Sequence, residues 1–371
     1  MRIVGAVLER IGDTTPYAGS QPLSVVELDL APPGPREVLV RMEAAGVCHS
    51  DLSVVDGNRR RPVPMLLGHE GAGIVEETGS DVTTVEVGDR VVMTFLPRCG
   101  QCEGCATDGV LPCVAGSASN ERGELLAGGR RLSRKGEWIH HHLGASAFAT
   151  HAVVDERSVV PIGTDVPPQV AALLGCAVLT GGGAVLNAGR PRAGQRVAVV
   201  GLGGVGLAAL LTALALDDVE VIGIDAMDHK VSHAENLGAT AYTPRQAAQQ
   251  RVEADVVIEA AGHPRAFETA VELTAAGGRT VTVGLPAPDA RSSISPLALV
   301  AGGRSIVGSY LGSAVPSRDV QIFADLWRDG RLPVEALVSD TVRLGDINQA
   351  MDNLASGSAV RQIIDMQEGL S

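Results

Sequence analysis

The feature that most constrains this 371-residue chain is a glycine turn between a strand-like and a helix-like segment. Arg196–Val200 is rich in β-branched residues and runs directly into the sequence GLGGVG at 201–206. In a βαβ unit, Gly201 permits the tight turn, Gly203 lets the backbone approach a pyrophosphate, and Gly206 lets the helix pack against the strand. The helix N-terminus then offers free N–H groups to the phosphates. The pattern predicts a dinucleotide site that also includes Gly204.

A carboxylate follows at the distance that this interpretation requires. The next strand-like run, Val219–Ile224, ends at Asp225, nineteen residues after Gly206. A carboxylate at this place receives the adenosine ribose hydroxyls. Because it also repels a 2′-phosphate, Asp225 favours NAD over NADP. The alternative is a glycine turn that serves packing alone, followed by a solvated aspartate.

The texture of the chain changes near residue 178. Residues 1–177 contain short strand-like runs broken by Gly and Pro, whereas strand-like and Ala-rich helical runs alternate afterwards. Such alternation predicts parallel βαβ units. Between Pro112 and His142 the sequence is polar, rich in Gly and Arg, and without periodicity, so we expect a long loop there. A final strand is expected at Arg361–Asp365.

Charge and hydropathy exclude other classes of protein. The chain carries 30 Lys and Arg against 43 Asp and Glu, a net charge of −13, so it offers no basic face to nucleic acid. The uncharged run 197–216 is long enough to span a membrane, but its glycines fit a strand, a turn and a buried helix better. The N-terminus resembles a first strand rather than a signal peptide, so we expect a cytoplasmic protein.

Four of the six cysteines fall within one short segment. Cys99, Cys102, Cys105 and Cys113 follow the spacing C-x₂-C-x₂-C-x₇-C. Four thiolates in one lobe suit tetrahedral zinc, and a closed four-cysteine site is structural. An iron–sulfur cluster or unliganded thiols are the alternatives.

The other two cysteines, Cys48 and Cys176, lie far apart, and Gly68-His69-Glu70 lies between them. Two thiolates and one imidazole would form an open zinc site of the catalytic type. From spacing alone, each cysteine is as well explained as a small buried hydrophobe.

Together these motifs resemble the zinc-dependent medium-chain alcohol dehydrogenases, with the spacing of the liver-type enzymes. The residues that carry the resemblance are Cys48-His49-Ser50-Asp51, Gly68-His69-Glu70, the four-cysteine lobe, Gly175-Cys176 and the glycine turn. The resemblance covers essentially the whole chain. It implies an α/β protein with two domains: a GroES-like, partly open β-barrel that binds zinc, at 1–177 and 312–371, and a Rossmann domain with a doubly wound parallel sheet, at 178–311.

The resemblance implies two zinc ions per chain. Cys48, His69 and Cys176 would bind the catalytic zinc, and the four clustered cysteines would bind the structural zinc. Asp51 would orient His69 from the side of the imidazole that faces away from the metal. The remaining catalytic residues that it implies are Ser50, His49 and Glu70, of which Ser50 would hydrogen-bond the alcohol and Glu70 would stand beside the metal.

Cofactor contacts are implied as well. Thr180 and Val205 match positions at the nicotinamide end of NAD, and Lys230 matches a ribose contact. His49 and Arg361 match residues near the pyrophosphate.

The substrate pocket departs from the family pattern. Phe95 is retained, but His142 stands where an aromatic residue is more usual and Arg59 where an aliphatic one is frequent. Ser53 replaces the histidine that ends the usual proton relay. Ser117 stands where glutathione-dependent formaldehyde dehydrogenases have arginine. We therefore predict a preference for alcohols larger and more polar than ethanol, although a run of arginines at 59–61 is also typical of a solvated surface.

The function implied is the NAD-dependent interconversion of a small-molecule alcohol with an aldehyde or ketone. One alternative is a nicotinoprotein that keeps its NAD bound, and another is an idle scaffold that binds NAD and zinc. We expect a homodimer, because the insert between Cys113 and Phe148 resembles that of dimeric liver-type enzymes. The segment Ser305–Leu311 could pair across a two-fold axis, and symmetric dimers are common.

Overall fold

The computed structural model describes residues 1–366, which form two compact units. The first contains Met1–Cys176, Val315–Ala324 and the chain from Glu335 onward, and the second contains Ala177–Ala314 and Asp325–Val334. The predicted first domain is 1–177 and 312–371, so the two divisions differ at Ala177, at 312–314 and at Asp325–Val334. The last five residues of that predicted domain lie outside the described residues.

Eighteen strands occur in residues 1–366. In chain order they are β1 (Arg2–Leu8), β2 (Leu23–Leu30), β3 (Glu37–Val47), β4 (Met65–Leu66), β5 (Glu70–Thr78), β6 (Arg90–Met93), β7 (Leu132–Arg134), β8 (Glu137–His141), β9 (His151–Asp155), β10 (Val159–Ile162), β11 (Arg196–Val200), β12 (Glu220–Ile224), β13 (Thr240–Tyr242), β14 (Ala254–Glu259), β15 (Thr274–Thr282), β16 (Ser305–Gly308), β17 (Asp340–Val342) and β18 (Gln362–Asp365).

The same part of the chain contains twelve α-helices. They are α1 (Tyr17–Ser20), α2 (His49–Val55), α3 (Val114–Arg122), α4 (Pro168–Leu173), α5 (Leu179–Gly183), α6 (Gly204–Leu214), α7 (Asp228–Asn236), α8 (Pro244–Gln250), α9 (Pro264–Leu273), α10 (Pro296–Gly302), α11 (Pro316–Arg328) and α12 (Ile347–Ala355). Two π-helical turns, Leu174–Val178 and Ala184–Gly189, flank α5.

The first unit is built on two sheets. Strands β1, β2, β7, β8 and β4 close a small barrel, and seven further strands form a sheet in the order β10-β6-β5-β3-β18-β17, with β9 also paired to β3. The long β3 is almost entirely buried, and its residues pack in an aliphatic core with Met93 and Phe148. The last residue of β3 is followed directly by Cys48, and β5 begins at Glu70. Candidate site residues therefore lie at the ends of strands in the core sheet.

The region expected to be a long loop is instead ordered secondary structure. Helix α3 fills its first part, and the β7–β8 hairpin completes the barrel by pairing with β2 and β4. The prediction of a loop was wrong because these strands are only three and five residues long. Because β7 and β8 pair with β2 and β4, which are distant in the chain, no local periodicity of the sequence indicates these two strands.

The second unit contains one six-stranded parallel sheet in the order β13-β12-β11-β14-β15-β16. This is the strand order of a doubly wound dinucleotide-binding fold. The predicted fold class is confirmed by this sheet and the barrel together.

The uncharged run 197–216 folds as β11, the glycine turn and α6, as the sequence predicts. In the described part of the chain, one helix is long and apolar enough to cross a membrane, Pro168–Gly189. Of its apolar window, 89% is buried inside the structure, which is typical of a core helix.

Candidate metal and cofactor sites

The ligands proposed for the catalytic zinc come together in the first unit. Cys48 precedes α2, His69 and Glu70 lie at the start of β5, and Cys176 lies in the π-helical turn after α4. One ligand atom from each of these four residues falls within 4.8 Å of the others, and all four are buried. Cys176 Sγ is 3.4 Å from His69 Nε2. Two thiols and an imidazole form the donor set of an open, catalytic zinc site.

Backbone geometry explains why these side chains can meet. Gly175 passes so close to β6 that a Cβ there would overlap the carbonyl oxygen of Met93. Gly68 has φ +90°, and a Cβ on it would lie 2.5 Å from the backbone nitrogen of Phe148. Glycine is therefore required beside both Cys176 and His69.

Asp51 links two of the candidate ligands. Its Oδ2 accepts a hydrogen bond from Cys48 N at 3.1 Å, which completes the capping box of α2. Its Oδ1 lies 3.1 Å from His69 Nδ1. This contact assigns the proton to Nδ1 and leaves Nε2 for a metal. Burial alone would raise the pKa of Asp51, but the charge of His69 and the close imidazoles of His142 and His69 lower that pKa to about 2.

Glu70 is paired with a buried arginine. Arg361 Nη2 lies 3.0 Å from Glu70 Oε1, and both side chains are at least 98% buried. The two carboxylate oxygens accept no well-formed hydrogen bond. Burial raises the pKa of Glu70 to about 7, against the lowering effect of the Arg361 charge. The predicted cofactor residue Arg361 is thus placed beside the candidate zinc ligands in this structure.

The four-cysteine cluster has the dimensions of a tetrahedral metal site. The Sγ atoms of Cys99 and Cys105 are 3.9 Å apart, as are those of Cys102 and Cys113. A tetrahedron with zinc–sulfur bonds of about 2.3 Å has edges of about 3.8 Å. Backbone N–H groups also point at the sulfur atoms, and the N–H of Val114 is the main cause that lowers the pKa of Cys102 to about 6. The cluster fits zinc.

The glycine turn of the second unit fits a dinucleotide. A Cβ on Gly201 would lie 2.6 Å from Ala261, and one on Gly206 would overlap the carbonyl oxygen of Gly201. At Gly203, by contrast, a Cβ would meet nothing within 4 Å, so the chain leaves open space there. Asp225 follows β12, and its Oδ2 accepts a hydrogen bond from Leu202 N at 2.7 Å. The carboxylate is therefore held beside the turn.

The other predicted catalytic and cofactor residues occupy helix starts and interiors. Ser50 and His49 open α2, Thr180 is buried in α5, Val205 lies in the first turn of α6, and Lys230 lies in α7. Ser53, which replaces the relay histidine, donates its hydroxyl hydrogen to the carbonyl of His49 at 2.8 Å.

Two of the three predicted pocket residues contact the candidate metal site. The ring of Phe95 packs edge-on against His69, with centroids 5.7 Å apart. His142 is 1% exposed, and its Nδ1 lies 3.2 Å from Asp51 Oδ1. Arg59 is half-buried. Burial lowers the pKa of His142 most, Asp51 opposes this effect, and the charge of Arg61, from the arginine run at 59–61, lowers that pKa slightly further.

Comparisons with known proteins agree with this geometry. Residues 34–164 match the family model described as alcohol dehydrogenase GroES-like domain, and residues 204–327 match the one described as zinc-binding dehydrogenase. An S-(hydroxymethyl)glutathione dehydrogenase from Synechocystis sp. is 34% identical over 93% of this chain and 96% of its own length. The chain belongs to the zinc-dependent medium-chain alcohol dehydrogenase family.

Solved structures of similar proteins cover nearly the whole enzyme. An alcohol dehydrogenase zinc-binding domain protein from Burkholderia ambifaria superposes with a TM-score of 0.90 at 30% identity, over 98% of this chain and 99% of its own. Benzyl alcohol dehydrogenase from Acinetobacter calcoaceticus gives 0.89 at 29% identity, with the same coverage. This medium-chain alcohol dehydrogenase is therefore a zinc-dependent oxidoreductase with a nicotinamide cofactor, and the predicted family, fold class and reaction type are confirmed.

Proposed function

We propose that this alcohol dehydrogenase oxidises an alcohol to an aldehyde or ketone, and catalyses the reverse reaction, with Cys48, His69 and Cys176 as ligands of the catalytic zinc. The observation that carries the proposal is the convergence of these three side chains, with Asp51 fixing the tautomer of His69. Cys99, Cys102, Cys105 and Cys113 hold a second, structural zinc.

The zinc, when bound, supplies Lewis-acid polarisation of the alcohol oxygen. The protein supplies orientation and a path for the proton. Asp51 keeps Nδ1 of His69 protonated and its Nε2 directed at the thiols. Ser50, two residues from Cys48 at the start of α2, accepts the alcohol proton. Ser53 donates its hydroxyl hydrogen to the carbonyl of His49 within α2, so that hydrogen is not directed at Ser50. A bound nicotinamide dinucleotide would supply ribose hydroxyls as further hydrogen-bonding groups.

The cofactor that we propose is NAD. Asp225 stands at the end of β12 with its carboxylate beside the glycine turn, where it favours ribose hydroxyls and repels a 2′-phosphate. The Michaelis constants for NAD and NADP test this assignment. Equal use of the two cofactors by the wild-type enzyme would contradict it.

For the substrate, we propose alcohols larger and more polar than ethanol. The residue that supports this proposal is the half-buried Arg59, because Nδ1 of His142 lies 3.2 Å from Asp51 Oδ1 and is directed at that carboxylate. Ser117, half-buried in α3, offers no charge to the carboxylates of glutathione. The curated relative named S-(hydroxymethyl)glutathione dehydrogenase thus does not decide the substrate.

A panel of alcohols measured by NADH formation tests this proposal. It should contain ethanol, benzyl alcohol, a carboxylate-bearing alcohol and S-(hydroxymethyl)glutathione. We expect kcat/KM to be lowest for ethanol and to drop most for the carboxylate-bearing alcohol in Arg59→Leu. If the wild type and Arg59→Leu ranked the alcohols of the panel equally, the assignment of Arg59 to the substrate pocket would be contradicted.

We further propose a cytoplasmic homodimer. Strand β16 is the edge of the six-stranded sheet and exposes Ser305 and Gly308. Close by in sequence, α10 exposes Leu297 and Val300 by 76% and 81%. Pairing of two copies through β16 would cover this edge and these apolar side chains. Light scattering should give twice the mass of 38.2 kDa, and a monomer would contradict the proposal.

A further inference from the structure

Asp51 faces two imidazoles, although the family resemblance gives it only one. Its Oδ1 lies 3.1 Å from Nδ1 of His69 and 3.2 Å from Nδ1 of His142. The two histidine rings meet edge-to-face, with centroids 5.5 Å apart and planes at 88°. Both histidines are 1% exposed, so their rings and the carboxylate are shielded from bulk water.

The carboxylate is already held without His142. Cys48 N donates to Oδ2 at 3.1 Å, and Gly68 N donates to Oδ1 at 3.2 Å. Oδ1 therefore has three nitrogen neighbours for its two lone pairs. The nitrogen left without a well-formed hydrogen bond is Nδ1 of His142. His142 thus competes for Asp51 rather than orienting it.

The position of His142 is fixed by its backbone. His142 N donates to Ser146 Oγ at 3.0 Å, and that hydroxyl donates to the carbonyl of Leu66 at 3.0 Å. The carbonyl of His142 accepts from Ala145 N at 3.0 Å. These bonds fix the backbone of His142 beside Asp51 on both sides of the residue.

We propose that His142 is a positioning residue that weakens zinc binding at the Cys48–His69–Cys176 site by sharing Asp51 with His69. The proposal rests on the assignment of His69 as a zinc ligand. The proposal takes His142 as the tautomer with its proton on Nδ1, which is the one that a carboxylate at 3.2 Å favours. That N–H withdraws part of the negative charge that would otherwise strengthen the Asp51–His69 hydrogen bond and raise the basicity of His69. Removing that N–H should therefore tighten the hold on zinc.

Zinc affinity measured by chelator competition tests the proposal without relying on activity. Loss of a residue that hydrogen-bonds a metal ligand changes affinity by about 10- to 100-fold, and removal of a residue that only shares such a partner should have a smaller effect. We expect His142→Phe, which keeps an aromatic ring on His69, to bind the catalytic zinc about 3- to 10-fold more tightly than the wild type. His142→Asn, which keeps an N–H close to the position of Nδ1, should return to the wild-type affinity.

A double-mutant cycle makes the test specific. In an Asp51→Asn background, His142→Phe should no longer change zinc affinity, because the shared carboxylate is gone. Unchanged or weaker affinity in His142→Phe, or an increase that persists with Asp51→Asn, would overturn the proposal. Should His142→Phe fail to fold, His142→Leu carries the same expectation. Zinc analysis of Cys48→Ala keeps the two questions apart, since two retained zinc ions there would contradict the site itself.

Discussion

The four-cysteine cluster takes all its ligands from the fifteen residues 99–113, whereas the catalytic centre takes Cys48, His69 and Cys176 from separate elements of the fold. Three of the four clustered cysteines are half-buried, and all of the catalytic ligands are buried. The cluster is a local loop that backbone N–H groups shape around sulfur. The catalytic centre exists only where a folded sheet and helix meet.

This difference predicts that the cluster depends on its metal for folding, whereas the fold around the catalytic centre does not depend on the metal. A local loop without a core of its own needs its metal to stay folded, because metal binding there is folding free energy. A centre whose ligands are placed by a core sheet should keep its shape when one ligand is lost.

Replacing a catalytic ligand should have the largest effect. We expect Cys48→Ala to lower kcat/KM by about three orders of magnitude or more, because the Lewis acid is lost. Zinc content should fall from two ions per chain to one. The thermal midpoint should change little, since a small buried side chain is exchanged for another. Substantial alcohol oxidation by this variant would break the comparison.

Replacing a cluster ligand should instead damage the fold. Structural zinc contributes about 10–16 kcal/mol of apparent binding free energy in small zinc domains. We expect Cys102→Ala to lower the thermal midpoint, by roughly 2–4 °C for each kcal/mol lost, and to retain one zinc. Calorimetry and metal analysis check this. A variant with one zinc and an unchanged midpoint would show that the cluster is dispensable for folding.

Two glycines allow a matched comparison of the centres. A Cβ on Gly175 would overlap the carbonyl oxygen of Met93, and one on Gly104 would overlap that of Pro112. Each alanine substitution should cost about 1–3 kcal/mol of stability. Gly175→Ala should displace Cys176 and release the catalytic zinc, whereas Gly104→Ala should release the cluster zinc and leave kcat nearly unchanged. Gly345→Ala, where a Cβ meets nothing within 4 Å, is the control.

The smallest effect is expected for Asp51, which contacts a zinc ligand but does not itself bind the zinc. Asp51→Asn keeps the shape of the side chain but removes its charge from Nδ1 of His69. Zinc affinity at the catalytic centre should fall by about 10- to 100-fold, and the cluster should be unaffected. Chelator competition followed by metal analysis separates the two ions. Equal loss of both ions would show that the centres are coupled.

The sequence by itself determined what depends on short spacing. The C-x₂-C-x₂-C-x₇-C segment predicts the cluster, and the GLGGVG turn with Asp225 predicts the dinucleotide site. At both sites the geometry depends on residues that are close in the chain, so it can be predicted from the order of the residues. The parallel sheet follows from alternating strand-like and helical runs for the same reason.

Only the tertiary structure decided which distant residues meet. It placed His142 on Asp51 and Arg361 on Glu70, pairs separated by 91 and 291 positions in the chain. It also turned the expected loop at 112–142 into α3 and a barrel hairpin. These contacts depend on long-range strand pairing and on glycines that let elements approach closely. Neither strand pairing over long range nor close approach at a glycine produces a periodic pattern in the sequence. In both cases the contacting residue is distant in the chain and comes near only in the folded protein.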